Sequence, residues 1–344
     1  MDSLVPRDRV TIQRFGGGDR ERYGRYVLML GAFLGGKPVN TRRTYRCGIL
    51  QFFELFDWIC PEEVRVAHAV AFKKWLLEHK GVSESTTYYR LSAVSSFFDY
   101  LCQPDGTDGE TLLRSNPFKH VPRHDIQPTP YARAEAMEWN VFRTIVDAIP
   151  SNARGLRDKA VLIFFAFTGR RRTEVAQLRV RDLNLRSRPR SYTVRTKGGT
   201  VRTFELPDIC YDALRAYWIA ADRLRDLHAD AGVFTAICDC PFTRDLDPDR
   251  PLSDRSMNHI LTGAALKAGV NMGGVRIHAI RHMAARDLDA AGVRLQDIQA
   301  FLGHASPTTT QIYLNRLSGP APAHEDVLLR VRDAAAEMAQ GLLD

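Results

Sequence analysis

The sequence predicts a mainly α-helical protein of two domains, the second of them mixed α/β with a small β-sheet. Three observations predict it. Apolar residues recur at helical spacing from about residue 20 to 115. A proline-rich stretch then breaks that period. Beyond it, helical segments surround one alternating stretch that turns on Gly198-Gly199. At 344 residues the chain is long for one domain, and 44% hydrophobic with 26% charged residues fits a globular protein with a real core.

Taken in order, residues 1–19 are polar and glycine-rich, and a flexible start is expected. A helical domain over 20–116 follows. In "TRRTYRCGILQFFELFDWI", Ile49, Phe52, Phe53, Phe56 and Ile59 fall on one stripe, with Arg42, Arg43 and Arg46 gathered at its start. "VAHAVAFKKWLLEH" adds a helix bearing Lys73 and Lys74. "SESTTYYRLSAVSSFFDYLC" adds another, capped by Ser83 or Ser85, with Leu91, Val94, Phe97, Phe98 and Leu101 on its apolar face and Arg90 among its basic residues. Residues 117–133, "PFKHVPRHDIQPTPYAR", hold four prolines and few apolar residues, which reads as an extended, basic interdomain linker.

The second domain spans 134–317. "KAVLIFFAFTG" has the composition of a buried helix, and "SYTVRTKGGTVRTFELP" that of a β-hairpin with Lys197 beside its tip. Helices are expected around 210–227, 253–268, 278–291 and 294–302. In the tail, 318–344, a proline-containing tether leads to Val327, Val331, Ala334, Met338 and Leu342 at helical spacing. A helix docked on a neighbouring subunit is favoured there over one folded back on its own domain.

Several classes of function are excluded. No apolar run approaches the ~20 residues of a membrane span. The six cysteines lie in apolar or irregular contexts without a signal-peptide pattern, which points to a reducing cytoplasm and no disulfide framework. Cys238-x-Cys240 has no matching pair for zinc. Phosphate-cradling GxxxxGK[ST], a helix-opening GxGxxG and GxSxG are all missing. His278 and His282 stand four apart and could share a helix face, but the intervening "AIR" offers arginine, which repels a cation, and no glutamate base. No cofactor or metal is expected.

The net charge of +8 is modest; its distribution says more. Between Arg170 and Arg202 lie ten arginines and one lysine against Glu174 and Asp182. On charge alone, a phosphate-facing surface and a solvated charged face are equally admissible. What remains after the exclusions is an anion-binding set: arginines in "TGRRRTE", the hairpin lysine, "HAIRH", "LGH" and a tyrosine. Metal-free cleavage of a phosphodiester asks for these types. Arginine forks neutralise charge developing on the phosphate oxygens. A lysine protonates the leaving oxygen. Histidines share protons, and a tyrosine among cations becomes a usable nucleophile.

"FAFTGRRRTEVAQLRVRDL", "TKGGTVRTFELP" and "HAIRHMAARDLDAAGVRLQDIQAFLGHASPTTTQIYLN" resemble the signature boxes of the tyrosine recombinase (phage integrase) family, in its Xer- and integrase-like branch. The resemblance spans the second domain, and the helical first domain is similar to the family's SAM-like core-binding domain. It implies a C-shaped clamp on DNA. It implies Arg171 as the first catalytic arginine, with Arg170 and Arg172 as bystanders, and Glu174 as the acid that buttresses it. Lys197 takes the place of the acid for the 5′-hydroxyl, with Arg202 five residues on. His278 and Arg281 form HxxR, His304 is the histidine of LGH, and Tyr313, nine residues later, is the nucleophile. Ile280 stands where leucine is common and Met283 where a small hydroxyl residue is usual. His282 reads as a histidine that packs the helix or supports the site from behind, and not as a catalytic one.

The implied activity is site-specific recombination: strands are cut and rejoined through a 3′-phosphotyrosyl bond and a Holliday junction, without ATP or metal. The implied partners are duplex DNA with inverted-repeat core sites and three further copies of the chain, a tetramer on DNA from a monomer or weak oligomer when free. No membrane is involved, and the place of action is the cytoplasmic nucleoid. Arg42, Arg43, Arg46, Lys73, Lys74, Arg90 and Arg202 are candidate DNA contacts. The alternatives are a type IB topoisomerase-like nicking-closing enzyme and a non-catalytic DNA-binding regulator, the latter disfavoured by the full residue set.

Overall fold

The computed structural model describes residues 20–104, 111–128, 135–196, 199–224, 227–237, 249–273, 276–304 and 306–317. The chain divides into two compact units, Met1–Thr129 and Pro130–Asp344.

Among the described residues the first unit holds four α-helices: α1 (Arg20–Gly35), α2 (Val39–Leu55), α3 (Val66–Glu78) and α4 (Glu84–Leu101). Its core is aromatic. Phe52 meets Phe53, Phe56, Phe72, Phe98 and Phe118 with ring centroids 5.1–6.1 Å apart, mostly edge to face. Helix α2 stops before the end of its apolar stripe: Asp57 and Trp58 are left-handed, so Phe56 and Ile59 lie beyond it. Ser83, rather than Ser85, caps α4, its Oγ accepting from Thr86 N at 3.3 Å. Helices α2 and α4 cross closely at Gly48, where a Cβ would stand 3.2 Å from the Arg90 backbone.

Part of the expected linker at 117–133 belongs to this core. Single turns at Pro117–His120 and His124–Ile126 bury Phe118, Val121 and Ile126 among the helix side chains. Asn116 fixes the entry, donating from Nδ2 to Ser95 O (2.8 Å) and Asp99 Oδ1 (2.9 Å) while its Oδ1 caps Phe118 N. Lys73 Nζ closes the far end on Pro122 O (2.8 Å) and Asp125 Oδ1 (2.6 Å). Three apolar side chains at irregular spacing suffice to hold the segment down, although its prolines exclude a helix. Residues 129–133 lie outside the described residues.

The second unit is built on α6 (Ala153–Thr168), whose Leu162, Phe164 and Phe165 are fully buried. Around it stand α5 (Trp139–Asp147), α7 (Arg172–Ala176), α8 (Asp208–Ala220), α9 (Asp254–Lys267), α10 (His278–Ala290), α11 (Leu295–Leu302) and α12 (Pro307–Leu317). The hairpin gains a third strand: β1 (Leu183–Asn184), β2 (Ser191–Arg195) and β3 (Val201–Glu205) pair antiparallel in that order, with Leu183 opposite Tyr192 and Val194 opposite Arg202. Tyr192 and Val194 alternate inward against α6 side chains. Ile280 and Met283 fill the same core. Helix α8 ends at Ala220, short of the expected 227, with Asp222 left-handed just after it.

The 1–19 start, Lys197 and Gly198, Cys238 and Cys240, and the 318–344 tail are outside the described residues. Among the described residues, no helix is long and apolar enough to cross a membrane.

Candidate active site

Two glycine turns bring the distant boxes together. Helix α6 ends at Gly169 (φ +60°), and α11 ends at Gly303 (φ +64°), both left-handed. A Cβ on Gly169 would lie 2.4 Å from the Phe301 ring, so only glycine lets α11 approach there. A Cβ on Gly303 would come within 3.3 Å of Arg170 Nη1.

The three arginines after Gly169 go three ways. Arg170 is 1% exposed, lies 3.8 Å over the Phe204 ring and donates from Nε to Thr168 O at 2.9 Å. Burial pushes its guanidinium below its ordinary value, and its Nη1 has no hydrogen-bond partner among the described residues. Arg172 turns to Asp254 (3.0 Å). Arg171 is half-exposed and gripped by the buried Glu174, which accepts from its backbone N and its Nη1, both at 2.9 Å. The Glu174 carboxylate thereby closes the first turn of α7 on the Arg171 N–H and orients the guanidinium together.

Helix α10 carries the next box on its first turns. Arg281 is 4% exposed. Its Nη1 donates to Gly169 O, and its Nη2 donates to Leu302 O (2.9 Å) and to His304 Nε2 (3.0 Å). Because arginine only donates, Nε2 of His304 accepts, and the proton sits on Nδ1, which donates to Thr310 Oγ1 at 3.0 Å. Burial, ahead of nearby charges, lowers Arg281 to about 10. Burial and then Arg281, Arg171 and Arg170 push His304 down to about 4.

His278 opens α10 with its ring exposed to solvent, yet enough protein surrounds it that desolvation leads, followed by Arg281, Arg172 and Arg171, in lowering it to about 4. His282 falls to about 4 by burial and then by His278 and Arg281. All three imidazoles are neutral at pH 7.

Tyr313 is 1% exposed, packed with Ala285, Ile298, Leu302 and Leu314. Its ring stands edge-on to His304 (centroids 5.6 Å) and 5.2 Å from His282. Its hydroxyl is hydrogen-bonded to His282 Nδ1. The structure therefore gathers Arg171, Glu174, Arg281, His304 and Tyr313, with His278 at the rim; Lys197 lies outside the described residues. Arg202 sits on β3 close enough to Arg170 to disfavour its charge.

Two residues of the cluster escaped the sequence reading. His282, read as packing or supporting, touches the Tyr313 hydroxyl itself; its four-residue offset from His278 was the available signal. Thr310 orients His304, and its position three before Tyr313 places it on the same helix face.

Of the candidate DNA contacts, two have their donors taken up inside the first unit. Arg42 donates from Nε to Leu34 O (3.1 Å) and from Nη2 to Gly35 O and Lys37 O, satisfying carbonyls at the end of α1. Lys73 is held by Asp125 and Pro122 as described. Both side chains thus have acceptors within the first unit, at a helix end and at the incoming segment. Arg43 and Lys74 are exposed, while Arg46 and Arg90 are half-buried. Among the described residues no group of three or more histidines, cysteines or carboxylates could hold a metal ion.

Residues 135–318 match the phage integrase family. A tyrosine recombinase XerC of Thermodesulfovibrio yellowstonii is 30% identical over 287 residues, covering 81% of this chain and 86% of that protein. Among solved structures, a XerH site-specific recombinase bound to palindromic difH substrate in a post-cleavage complex aligns with a TM-score of 0.61 at 18% identity, over 79% of this chain and 75% of that one. A lambda integrase dimer bound to a COC′ core site aligns with a TM-score of 0.62 at 13% identity, over 91% and 86%. At such identities the two structures speak for the fold, which is the mainly α architecture with one small sheet.

Proposed function

The chain belongs to the phage integrase family, and on that premise we propose that it is a site-specific tyrosine recombinase that cuts and rejoins duplex DNA. The observation that carries the reading is the convergence of Arg171, Arg281, His304 and Tyr313 on one small volume with more guanidiniums than carboxylates.

In this reading a backbone phosphate supplies the missing negative charge. Arg171, already oriented by Glu174, meets a non-bridging oxygen, and Arg281 presents a fixed charge that needs no rearrangement as the transition state forms. His278, neutral, donates a hydrogen bond to the same oxygens, while His304, through its Nε2, holds the Arg281 guanidinium toward them. Tyr313 Oη attacks phosphorus, the 3′-phosphotyrosyl bond forms, and the 5′-oxygen leaves with a proton from Lys197. Attack by a partner strand's 5′-hydroxyl reverses the step, so bond energy is conserved and neither ATP nor metal is required. Four copies on two inverted-repeat core sites exchange strands in pairs through a Holliday junction, with the 318–344 segment of one copy docked on the next. Arg43, Arg46, Lys74, Arg90 and Arg202 contact DNA, mostly at phosphates, making affinity salt-sensitive. The reaction takes place in the cytoplasm, at the nucleoid.

The test is covalent capture. A randomised duplex library incubated with the full chain is expected to yield detergent-resistant adducts whose recovered sequences share an inverted repeat. Tyr313→Phe should abolish the adduct and leave binding of the recovered duplex unchanged. Binding without any adduct from the unsubstituted chain sinks the enzyme reading. Site-independent relaxation of supercoiled plasmid favours the nicking-closing alternative.

A further inference from the structure

A nucleophilic tyrosine must lose its proton, and three neutral imidazoles stand near this one. The hydrogen bonds distinguish them. His304 is closed: its Nε2 receives Arg281 and its Nδ1 proton is directed to Thr310. His278 lies at the exposed rim. His282, one residue beyond the anchored Arg281 on α10, faces Tyr313 with Nδ1 against the hydroxyl.

We propose that His282 is a catalytic residue: its Nδ1 accepts the proton of Tyr313 Oη as that oxygen bonds to phosphorus, and returns it when the strand is rejoined. The proposal rests on the recombinase reading and extends it to a residue that the sequence motifs leave as packing or supporting. The step balances. The Oη–H bond breaks and an Nδ1–H bond forms; the Oη–P bond forms and the P–O5′ bond breaks, the 5′-oxygen taking its proton from the separate acid.

Three features of the structure favour this assignment. The phenol is a donor in its protonated form, so a neutral imidazole with a free Nδ1 lone pair is its natural acceptor. The geometry is preset: packing against Ala285, Ile298, Leu302 and Leu314 fixes the tyrosine ring, and α10 is held by Arg281 at two carbonyls. The charged and titratable groups facing His282 are His278 and Arg281 on its own helix and Tyr313 from α12. Their positive sum, with burial, keeps the ring neutral in the free chain; an arriving phosphate opposes that sum and makes the imidazole more basic at the moment a base is required.

The experiment follows adduct formation in single turnover on the duplex recovered by covalent capture with the unsubstituted chain. His282→Ala and His282→Asn are expected to slow the adduct by about 10²- to 10⁴-fold with duplex binding unchanged. Replacing Tyr313 by the more acidic 3-fluorotyrosine should recover part of the H282A loss. An H282A chain that forms adduct at the unsubstituted rate overturns the proposal. So does H282N at the unsubstituted rate, because asparagine holds the hydroxyl without taking its proton. Should H282A fail to bind the duplex, H282N, which keeps the hydrogen bond, carries the test. Capture of no duplex by the unsubstituted chain is a different outcome, and it fails the recombinase reading itself.

Discussion

The two units both immobilise charged side chains, but they arrange them differently. In the helical unit Arg42 ends on carbonyls at the end of α1, while Lys73 and Lys119 each meet a carboxylate, Asp125 and Asp99, the latter at 2.9 Å. In the second unit Arg170, Arg171 and Arg281 crowd around one buried carboxylate, Glu174, and three imidazoles held neutral. Burying a surplus of one sign opposes folding. Such a surplus marks the second unit as a place where an anion completes the structure.

Acid should separate the units most strongly. His278, His282 and His304 have folded values of about 4, below the ordinary 6.5. The unfolded chain therefore binds their protons first as pH falls, and the stability they contribute, complete above 6.5, is lost between 6.5 and 4. The helical unit responds lower. Burial opposes it, but hydrogen bonds from Asn116 and Lys119 hold Asp99 below 3.8, and the bond from Lys73 does the same for Asp125. Their contribution survives above 3.8 and is lost below it. Fluorescence of Trp139 and Trp218 should thus report unfolding at a higher pH than that of Trp58 and Trp75; the reverse order would break the comparison.

Glycine substitutions sharpen it further. Gly81 and Gly169 share a left-handed backbone, but Gly81 has open space where Gly169 has Phe301. Gly81→Ala should cost about 1 kcal/mol from backbone strain alone. Gly169→Ala adds overpacking and should cost roughly 2–4 kcal/mol by chemical denaturation. Equal losses would mean that α11 is not held where the site needs it.

Inorganic phosphate offers a smaller effect. Phosphate at ten times its Kd should raise the stability of the second unit by about 1.4 kcal/mol and leave the helical unit unmoved, read as a shift in the respective melting transitions. Arg42→Ala should cost no more than about 1 kcal/mol in the helical unit, since the freed carbonyls lie at the surface and water replaces the guanidinium.

Much of this was legible in the sequence. Chemistry asked for arginines, histidines and a tyrosine, and the resemblance to the recombinase boxes named Arg171, His278, Arg281, His304 and Tyr313 among them, while the stripe through Ile49, Phe52 and Phe53 announced the helical core. What escaped has no period to reveal it. Phe118, Val121 and Ile126 are buried by partners distant in sequence, in a segment whose prolines resemble a tether. Two residues of β1 form a strand only because β2 lies beside them. The uses of Arg42, Lys73 and His282 depend on which acceptor reaches each donor in space.

The left-handed ends at Gly169 and Gly303 reach further than the turns they make. Their placement sets where the Gly169 and Leu302 carbonyls point, and those oxygens orient one guanidinium. The guanidinium, able only to give hydrogens, settles which nitrogen of His304 is bare and therefore which way Thr310 is addressed. Backbone handedness is thereby translated into the position of a single hydrogen atom. Replacing Arg281 by lysine would keep the charge and erase that instruction, because a lone ammonium cannot span both carbonyls and the ring at once.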